Sequence, residues 1–483
     1  MPALFIRRTV CFKILITLLV SLLSLNTYAQ NMQLKKTDSV LTLVKKYFKT
    51  KDADAIYALT GVNFKKAITQ GAFRDICFNN LFPLGEIKKD SLLSFVNNKT
   101  ATYKIQFEAV TMQLLMNLDQ NDKIELFLFQ PFKIEPFDKP ALVASSNPLI
   151  TAIDKKVDSA ARNYIQKSNT VGLSIGIIKD GKVNTYNYGE TKKGNQHLPT
   201  AGTLFEIGSI TKTFTSTLLA YYVNEGRLRL TDPVTMYLPD SVVRNPALQN
   251  ITLLNLSNHT SGLASLPDNF SAQNPYDKLN PYKNYTKQLL YAYLKNCTLN
   301  SKPGEKYDYS NLAVGLLGTI LEQVSHKTFE QMVSEIICAP LQMKSTMQHL
   351  YPMIATRFTT VYDDAGDQTP AWDFDVFAPC GSLRSTVNDL MMYAESNITP
   401  GNTKLAKAFE LTHKITLDGD TKVALAWHII TVNGVDYIFH NGGTYGSSSF
   451  LAFNAKRNVA VIILSNAAAS TDELGKRLLI TLQ

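Results

Sequence analysis

Across residues 149–483, strand-like segments gather at the two ends and a long, mostly helical stretch separates them. At the near end, Val171–Ile178 and Lys182–Tyr188 flank Asp180-Gly181, a dipeptide that favours the tight turn of a β-hairpin. At the far end, Tyr437–His440, Ser448–Asn454 and Val459–Ser465 are again strand-like, and a helix is predicted from about Ser470 to Leu482. Another helix, near Ile150 to Ser168, precedes the first strand. Strands this far apart can share a sheet only if both ends of the segment build it and the middle is set beside it. The predicted fold class is α/β in the α+β sense: an antiparallel sheet flanked by helices, with an all-helical subdomain, preceded by a small α+β domain.

The small domain is expected over 31–133. Val40, Leu41, Val44 and Phe48 fall on one helical face, and Asp52 and Asp54 open a second helix around Ile56. Alternation at Tyr103, Ile105 and Phe107 predicts a strand, and Asp119-Gln120-Asn121-Asp122 is a turn before another at Lys123–Phe129. Helices followed by a hairpin-rich sheet resemble, in pattern alone, the cystatin-like or NTF2-like modules placed ahead of bacterial hydrolase domains. Pro131, Pro136, Pro140 and Pro148 with Ser145-Ser146-Asn147 then predict an extended linker over 134–148, because proline removes backbone donors. The remainder, 149–483, is the large domain.

Residues 1–29 read as a secretory signal peptide. Arg7, Arg8 and Lys13 precede the short apolar run Ile14–Leu25, and Thr27-Tyr28-Ala29 offers small residues at a cleavage site. The apolar run is shorter than the ~18–20 residues a membrane span needs, which ranks an uncleaved anchor second. A periplasmic or secreted location follows, with no stable membrane span after cleavage.

The formal charge of +9 includes the three leader cations, so about +6 remains on the rest, spread without a basic stripe. Nucleic acid is therefore not an expected partner. Cys77, Cys297, Cys338 and Cys380 form no close pair and read as buried thiols. The seven histidines show no H-x-x-x-H or similar spacing, so no metal and no other cofactor is expected.

Chemistry concentrates in three segments. In Phe205-Glu206-Ile207-Gly208-Ser209-Ile210-Thr211-Lys212, Ser209 and Lys212 stand three apart, which on a helix puts both on one face. A serine hydroxyl is a weak nucleophile until a base takes its proton, and an amine can be that base. Ser209 also sits near a helix N-terminus, where backbone N–H groups favour an oxyanion. In Pro303-Gly304-Glu305-Lys306-Tyr307-Asp308-Tyr309-Ser310-Asn311, a turn leads into an apolar helix from Leu312 to Val324. Its Tyr-x-Asn triplet could set a phenol against Ser209 and Lys212. Tyr222-Val223-Asn224 and Tyr282-Lys283-Asn284 match the triplet too, but Tyr222 lies in a helical run suited to core packing, and Tyr282 lies in a polar loop. The third segment, His440-Asn441-Gly442-Gly443-Thr444-Tyr445-Gly446, crosses from one strand to the next with glycines that permit close approach.

Together these segments resemble the serine β-lactamase and penicillin-binding-protein superfamily, in its class C and D-alanyl-D-alanine carboxypeptidase branch. The resemblance spans about 150 to 483 and includes Asn258-His259-Thr260-Ser261-Gly262-Leu263, Ala339-Pro340-Leu341-Gln342-Met343 and Leu383-Arg384-Ser385-Thr386-Val387-Asn388-Asp389-Leu390. It implies Ser209 as the acylated nucleophile, Lys212 as its proton-handling partner and Tyr309 as a second acid/base, with either of the last two as formal base. It implies substrate contacts for Asn311, His440, Asn441, Gly442 and Gly443, with the N–H groups of Ser209 and Gly443 as oxyanion hole. His440 stands where many relatives carry lysine, which favours peptidase- or esterase-like relatives over β-lactamases. Cys380-Gly381 stands where relatives often carry paired glycines. The substrate classes implied are a D-Ala-D-Ala-type peptide, a small ester or a β-lactam, cell-wall-derived material included. The alternative is a penicillin-binding sensor that acylates and releases product very slowly.

Overall fold

The structure, a computed structural model, describes residues 32–96, 99–108, 110–132 and 143–483. The leader and most of the expected linker lie outside the described residues. The chain divides into two compact units at 133/134.

In the smaller unit a helix over 32–49 precedes Ala53–Ala58, Val62–Ala67 and Gln70–Ile76. Asp52 caps the second of these by accepting from Ala55 N–H, as its position before the helix suggests. The sheet has four antiparallel strands in sequential order, Ile87–Val96, Thr100–Phe107, Thr111–Leu118 and Ile124–Pro131. Helical Val44, Phe48 and Ile56 and sheet residues Tyr103, Ile105 and Leu114 share one core. The sequence patterns mark only the second and fourth of these strands. Ile87–Val96 escapes it because most of its residues are exposed and show no regular alternation, the pattern of an edge strand.

The larger unit is built on an eight-stranded antiparallel sheet. Its order runs Leu417–Asp418, Lys422–Val423, His428–Val432, Val435–Gly443, Ser448–Asn454, Val459–Ser465, Gly172–Lys179, Lys182–Gly189. Val459–Ser465 pairs with Gly172–Lys179, the sixth and seventh strands of the eight, so the two ends of the segment meet inside one sheet. Both of these strands are buried along nearly their whole length, because layers cover both faces. Helices Ala152–Ile165 and Asp472–Thr481 supply Val157, Ala161, Leu474 and Leu478 to one face. Val387–Ile398 and the helical middle, including Thr211–Asn224 and Asn311–Ser325, form the large core on the other.

Residues 144–148 depart from the linker expectation. Ser146 N–H bonds Asn187 O at 2.9 Å, Gly189 N–H bonds Ala144 O at 2.9 Å, and Asn147 Nδ2 donates to the Tyr188 hydroxyl at 2.8 Å. This segment lies along the outer strand Lys182–Gly189, whose exposed edge offers backbone partners that proline-rich composition does not reveal. The four cysteines are buried free thiols. Among the described residues no helix is long and apolar enough to cross a membrane.

Candidate active site

From residue 203 to 220 every residue is buried except Ser209. The short strand Phe205–Glu206 runs into a single 3-10 turn, Gly208–Ile210, and then into helix Thr211–Asn224. Gly208 makes the entry with φ +53, a left-handed backbone that side chains rarely adopt. The turn lifts Ser209 out of the core and sets Lys212 beneath it. Lys212 is fully buried; its Nζ lies 3.0 Å from Ser209 Oγ and 2.6 Å from the carbonyl oxygen of Cys380. That carbonyl belongs to the short helix Ala378–Gly381. Cys380 thus contributes its backbone to the lysine, while burial pushes its thiol up to about 11.

Tyr309 and Asn311 flank the N-cap of helix Asn311–Ser325. Ser310 Oγ accepts from Ala313 N–H and donates to Ala264 O, which fixes where the helix starts. The Tyr309 ring then lies 4.8 Å from Lys212 Nζ and 4.4 Å from the His259 ring. Asn311 Nδ2 donates to the Tyr282 hydroxyl at 3.1 Å. This corrects the standing of Tyr282. It does lie in a loop, but its side chain is buried among Phe270, Trp372, Phe374 and Phe377. Aromatic partners drawn from a distant loop explain why local polarity misled. Tyr222 is buried within its helix, as expected.

The glycine-rich strand closes the other side. A methyl group on Gly442 would lie 2.0 Å from Ile207 O and 2.6 Å from Ser209 N, and one on Gly208 would lie 2.5 Å from Gly443 N. Strand Val435–Gly443 therefore rests backbone-to-backbone on the nucleophile turn. Ser449 Oγ adds a hydrogen bond to Ile207 O at 2.8 Å.

His440 is buried, and its Nδ1 lies 2.6 Å from Asn441 O. Its Nε2 is buried with no partner. Burial, then the neighbouring His428 and Lys212, hold His440 far below the usual histidine range. Asn441 turns to Asp472, its Nδ2 lying 3.1 and 3.0 Å from the two carboxylate oxygens. Parts of all three segments therefore meet at Ser209: Lys212 lies against its hydroxyl, the Tyr309 ring against Lys212, and Gly442 and Gly443 against the nucleophile turn.

Three participants were not predicted. Glu206 is fully buried and accepts from Trp372 N–H at 2.6 Å, Thr444 Oγ1 at 2.6 Å and Ser447 Oγ at 3.3 Å. It ties the nucleophile strand to the loop after Gly443. Burial raises its carboxyl, and the charge of Arg384 opposes that shift. His259 accepts from Ser310 N–H and abuts Tyr309. His428 pairs with the Tyr307 hydroxyl at 2.8 Å and is held at about 4, by burial and then by Lys212. Sequence position marks Glu206 and His259 only as members of matched segments. Nothing local marks His428, which strand His428–Val432 brings in from between two paired neighbours.

Residues 157–483 match the family model described as Beta-lactamase. A beta-lactamase of Pseudomonas fluorescens is 31% identical over 283 residues, 58% of this chain and 75% of that relative. A beta-lactamase of Lysobacter lactamgenus is 26% identical over 359 residues, 67% of this chain and 90% of that relative. The solved beta-lactamase/D-alanine carboxypeptidase of Pseudomonas syringae superposes with a TM-score of 0.62 at 25% identity, covering 69% of this chain and 100% of its own. The match runs from the first helix of the large unit to the last residue, through every segment that meets at Ser209, so the chain belongs to the beta-lactamase family, within the serine β-lactamase and penicillin-binding-protein superfamily.

Proposed function

We propose that this chain is an exported serine hydrolase that moves the acyl group of an amide or ester to water through an acyl-Ser209 intermediate. The observation that carries this reading is the buried amine of Lys212, 3.0 Å from the one accessible hydroxyl in an otherwise buried segment. When neutral, that amine can donate to Cys380 O and still offer its lone pair to Ser209. It takes the Oγ proton as the Oγ–C bond forms, and the N–H groups of Ser209 and Gly443 stabilise the oxyanion. The C–N or C–O bond then breaks, and the Tyr309–Lys212 pair returns the proton to the departing group. Water attacks the ester by the same route in reverse. The 4.8 Å from the Lys212 amine to the centre of the Tyr309 ring supports the two acting together in the proton transfer. Asn311 holds the acyl amide, and His440, Asn441 and Gly442 form the strand along which substrate lies.

The names of its relatives make β-lactams and D-alanyl peptides substrates to try, with small esters beside them. The test is a panel of labelled penicillin, chromogenic ester and D-Ala-D-Ala peptide against wild type and Ser209→Ala, with acylation and deacylation timed separately. Wild type is expected to acylate and turn over at least one of the three, and Ser209→Ala none. Hydrolysis surviving in Ser209→Ala refutes the mechanism. Acylation without turnover identifies a slow sensor instead. For export, the N-terminus of protein recovered outside the cytoplasm is expected to begin near Gln30. For the small N-terminal unit the proposed roles are targeting, partner binding or large substrates, with a spacer that binds no ligand as the alternative.

A further inference from the structure

One residue brackets Tyr309 from three directions. His259 is fully buried and stands in the left-handed backbone region at φ +61. Its carbonyl accepts from Asp308 N–H at 2.8 Å, and its Nδ1 accepts from Ser310 N–H at 3.2 Å. The residue between those two donors is Tyr309. The His259 and Tyr309 ring centres lie 4.4 Å apart, and the Lys212 amine lies 4.8 Å from the same tyrosine ring. The nearby bonds from Ser310 Oγ to Ala264 O and from Leu312 N–H to Ser265 O hold the helix that follows rather than the tyrosine.

The bond to Ser310 also fixes the state of the imidazole. A backbone N–H only donates, so Nδ1 carries the lone pair and the ring proton sits on Nε2. Burial, then the charges of Lys212 and His428, hold His259 well below the usual histidine range, and the ring is neutral as that bond requires. Nε2 is buried with no partner among the described residues. An unpaired buried donor is unfavourable, so an apolar side chain would serve the core better at that end of the ring. What such a side chain cannot supply is the acceptor for Ser310 N–H, next to the phenol.

We infer that His259 is a positioning residue for Tyr309: its Nδ1 bond to Ser310 N–H, with its ring against the phenol ring, sets where the phenol stands relative to Lys212. The inference rests on the proposed hydrolase mechanism, in which Tyr309 helps return the proton to the departing group.

Two amide side chains separate the acceptor from the bulk. An asparagine oxygen stands at the same remove from Cβ as Nδ1, and asparagine tolerates left-handed backbone. The glutamine amide reaches one bond further, to the place of Nε2, and leaves Ser310 N–H unpaired. His259→Leu fills the site with no acceptor at all. Single-turnover acylation of the full chain is read by mass after acid quenching, with whichever of labelled penicillin, chromogenic ester and D-Ala-D-Ala peptide acylates wild type fastest. His259→Gln and His259→Leu are expected to slow acylation about tenfold or more, since a misplacement of ~1 Å can cost ~10²-fold. The dissociation constant of the initial complex should stay within about threefold of wild type, because the loss falls on the chemical step. His259→Asn is expected to recover most of the rate. In a Tyr309→Phe background, His259→Gln should add less than about threefold, because both changes act through one phenol. A residue that only supports the fold would lower the melting temperature without the Asn–Gln contrast or the coupling to Tyr309. A folded Gln or Leu variant at wild-type rate overturns the inference, as does a full tenfold further loss in the Tyr309→Phe background. An Asn variant slowed tenfold overturns it whether or not the other two fold. If none of the three compounds acylates Ser209 in wild type, the hydrolase reading falls and this inference falls with it.

Discussion

Gly442→Ala tests the contact on which the proposed oxyanion site depends. The added methyl group meets Ile207 O at 2.0 Å, Ser449 Oγ at 2.5 Å and Ser209 N at 2.6 Å. Ser449 can rotate away, but two of the three obstacles are backbone of the nucleophile turn. Relief therefore requires strand Val435–Gly443 to move off that turn by about 1 Å, since the contact with Ile207 O is 2.0 Å and real Cβ contacts essentially never fall below 3.0 Å. Such a shift carries Gly443 N–H away from Ser209 N–H. Losing one oxyanion donor costs ~10²–10³ in rate, or about 2.7–4 kcal/mol of transition-state stabilisation. Forcing a methyl group into a packed site costs ~1–3 kcal/mol of stability, less than the typical stability of a domain. The variant is thus expected to fold, with a lowered melting temperature, and to lose acylation rate with little change in KM. Stopped-flow acylation and thermal melting read the two effects separately. Gly401→Ala, where nothing lies within 4 Å of the added methyl group, serves as control and is expected to match wild type. A folded Gly442→Ala enzyme that acylates within threefold of wild type refutes the reasoning.

Lys212→Met fills the buried volume but removes the amine, so acylation should fall by ~10²–10⁴ with circular dichroism unchanged; an enzyme keeping most of its rate excludes Lys212 as proton acceptor. Tyr309→Phe should cut turnover by a similar ~10²–10⁴, whereas Tyr282→Phe removes only the acceptor for Asn311 and should cost about 1 kcal/mol; reversed effects would put the acid/base on the wrong tyrosine. Burial holds His413 near about 4, against 6.5 for a free histidine. The folded state therefore binds fewer protons than the unfolded one between those values, and His413 contributes stability that is full above about 6.5 and lost as pH falls toward 4. Wild type should accordingly lose melting temperature relative to His413→Gln on acidification through that window, and a constant difference counts against the assignment. A fragment starting at residue 143 should fold and hydrolyse small esters. One starting at 149 loses five bonds to Asn187, Tyr188 and Gly189 and should be less stable by about 5 kcal/mol, at ~1 kcal/mol per bond; equal melting of the two fragments would show that the edge segment contributes nothing.

Much of this protein was legible without coordinates because the information is local. The short runs rich in β-branched and aromatic residues within 171–188 and 437–465 and the Asp180-Gly181 turn specify strands through local composition and turn chemistry. The Ser209–Lys212 spacing specifies one helical face whatever surrounds it. Tertiary structure alone decided which groups those residues meet. No spacing links Lys212 to the Cys380 carbonyl 168 positions away, or Glu206 to Thr444. Nor does local polarity show that Tyr282 is buried or that 144–148 lies on a strand edge. Asn441 shows the division most clearly. Its place in the His440–Gly443 run marks it as a wall of the site, yet its amide is committed to Asp472, 31 residues further on. Sequence sets what a side chain can donate or accept; only the packing of distant segments decides whether that capacity is already spent within the protein or left for a substrate.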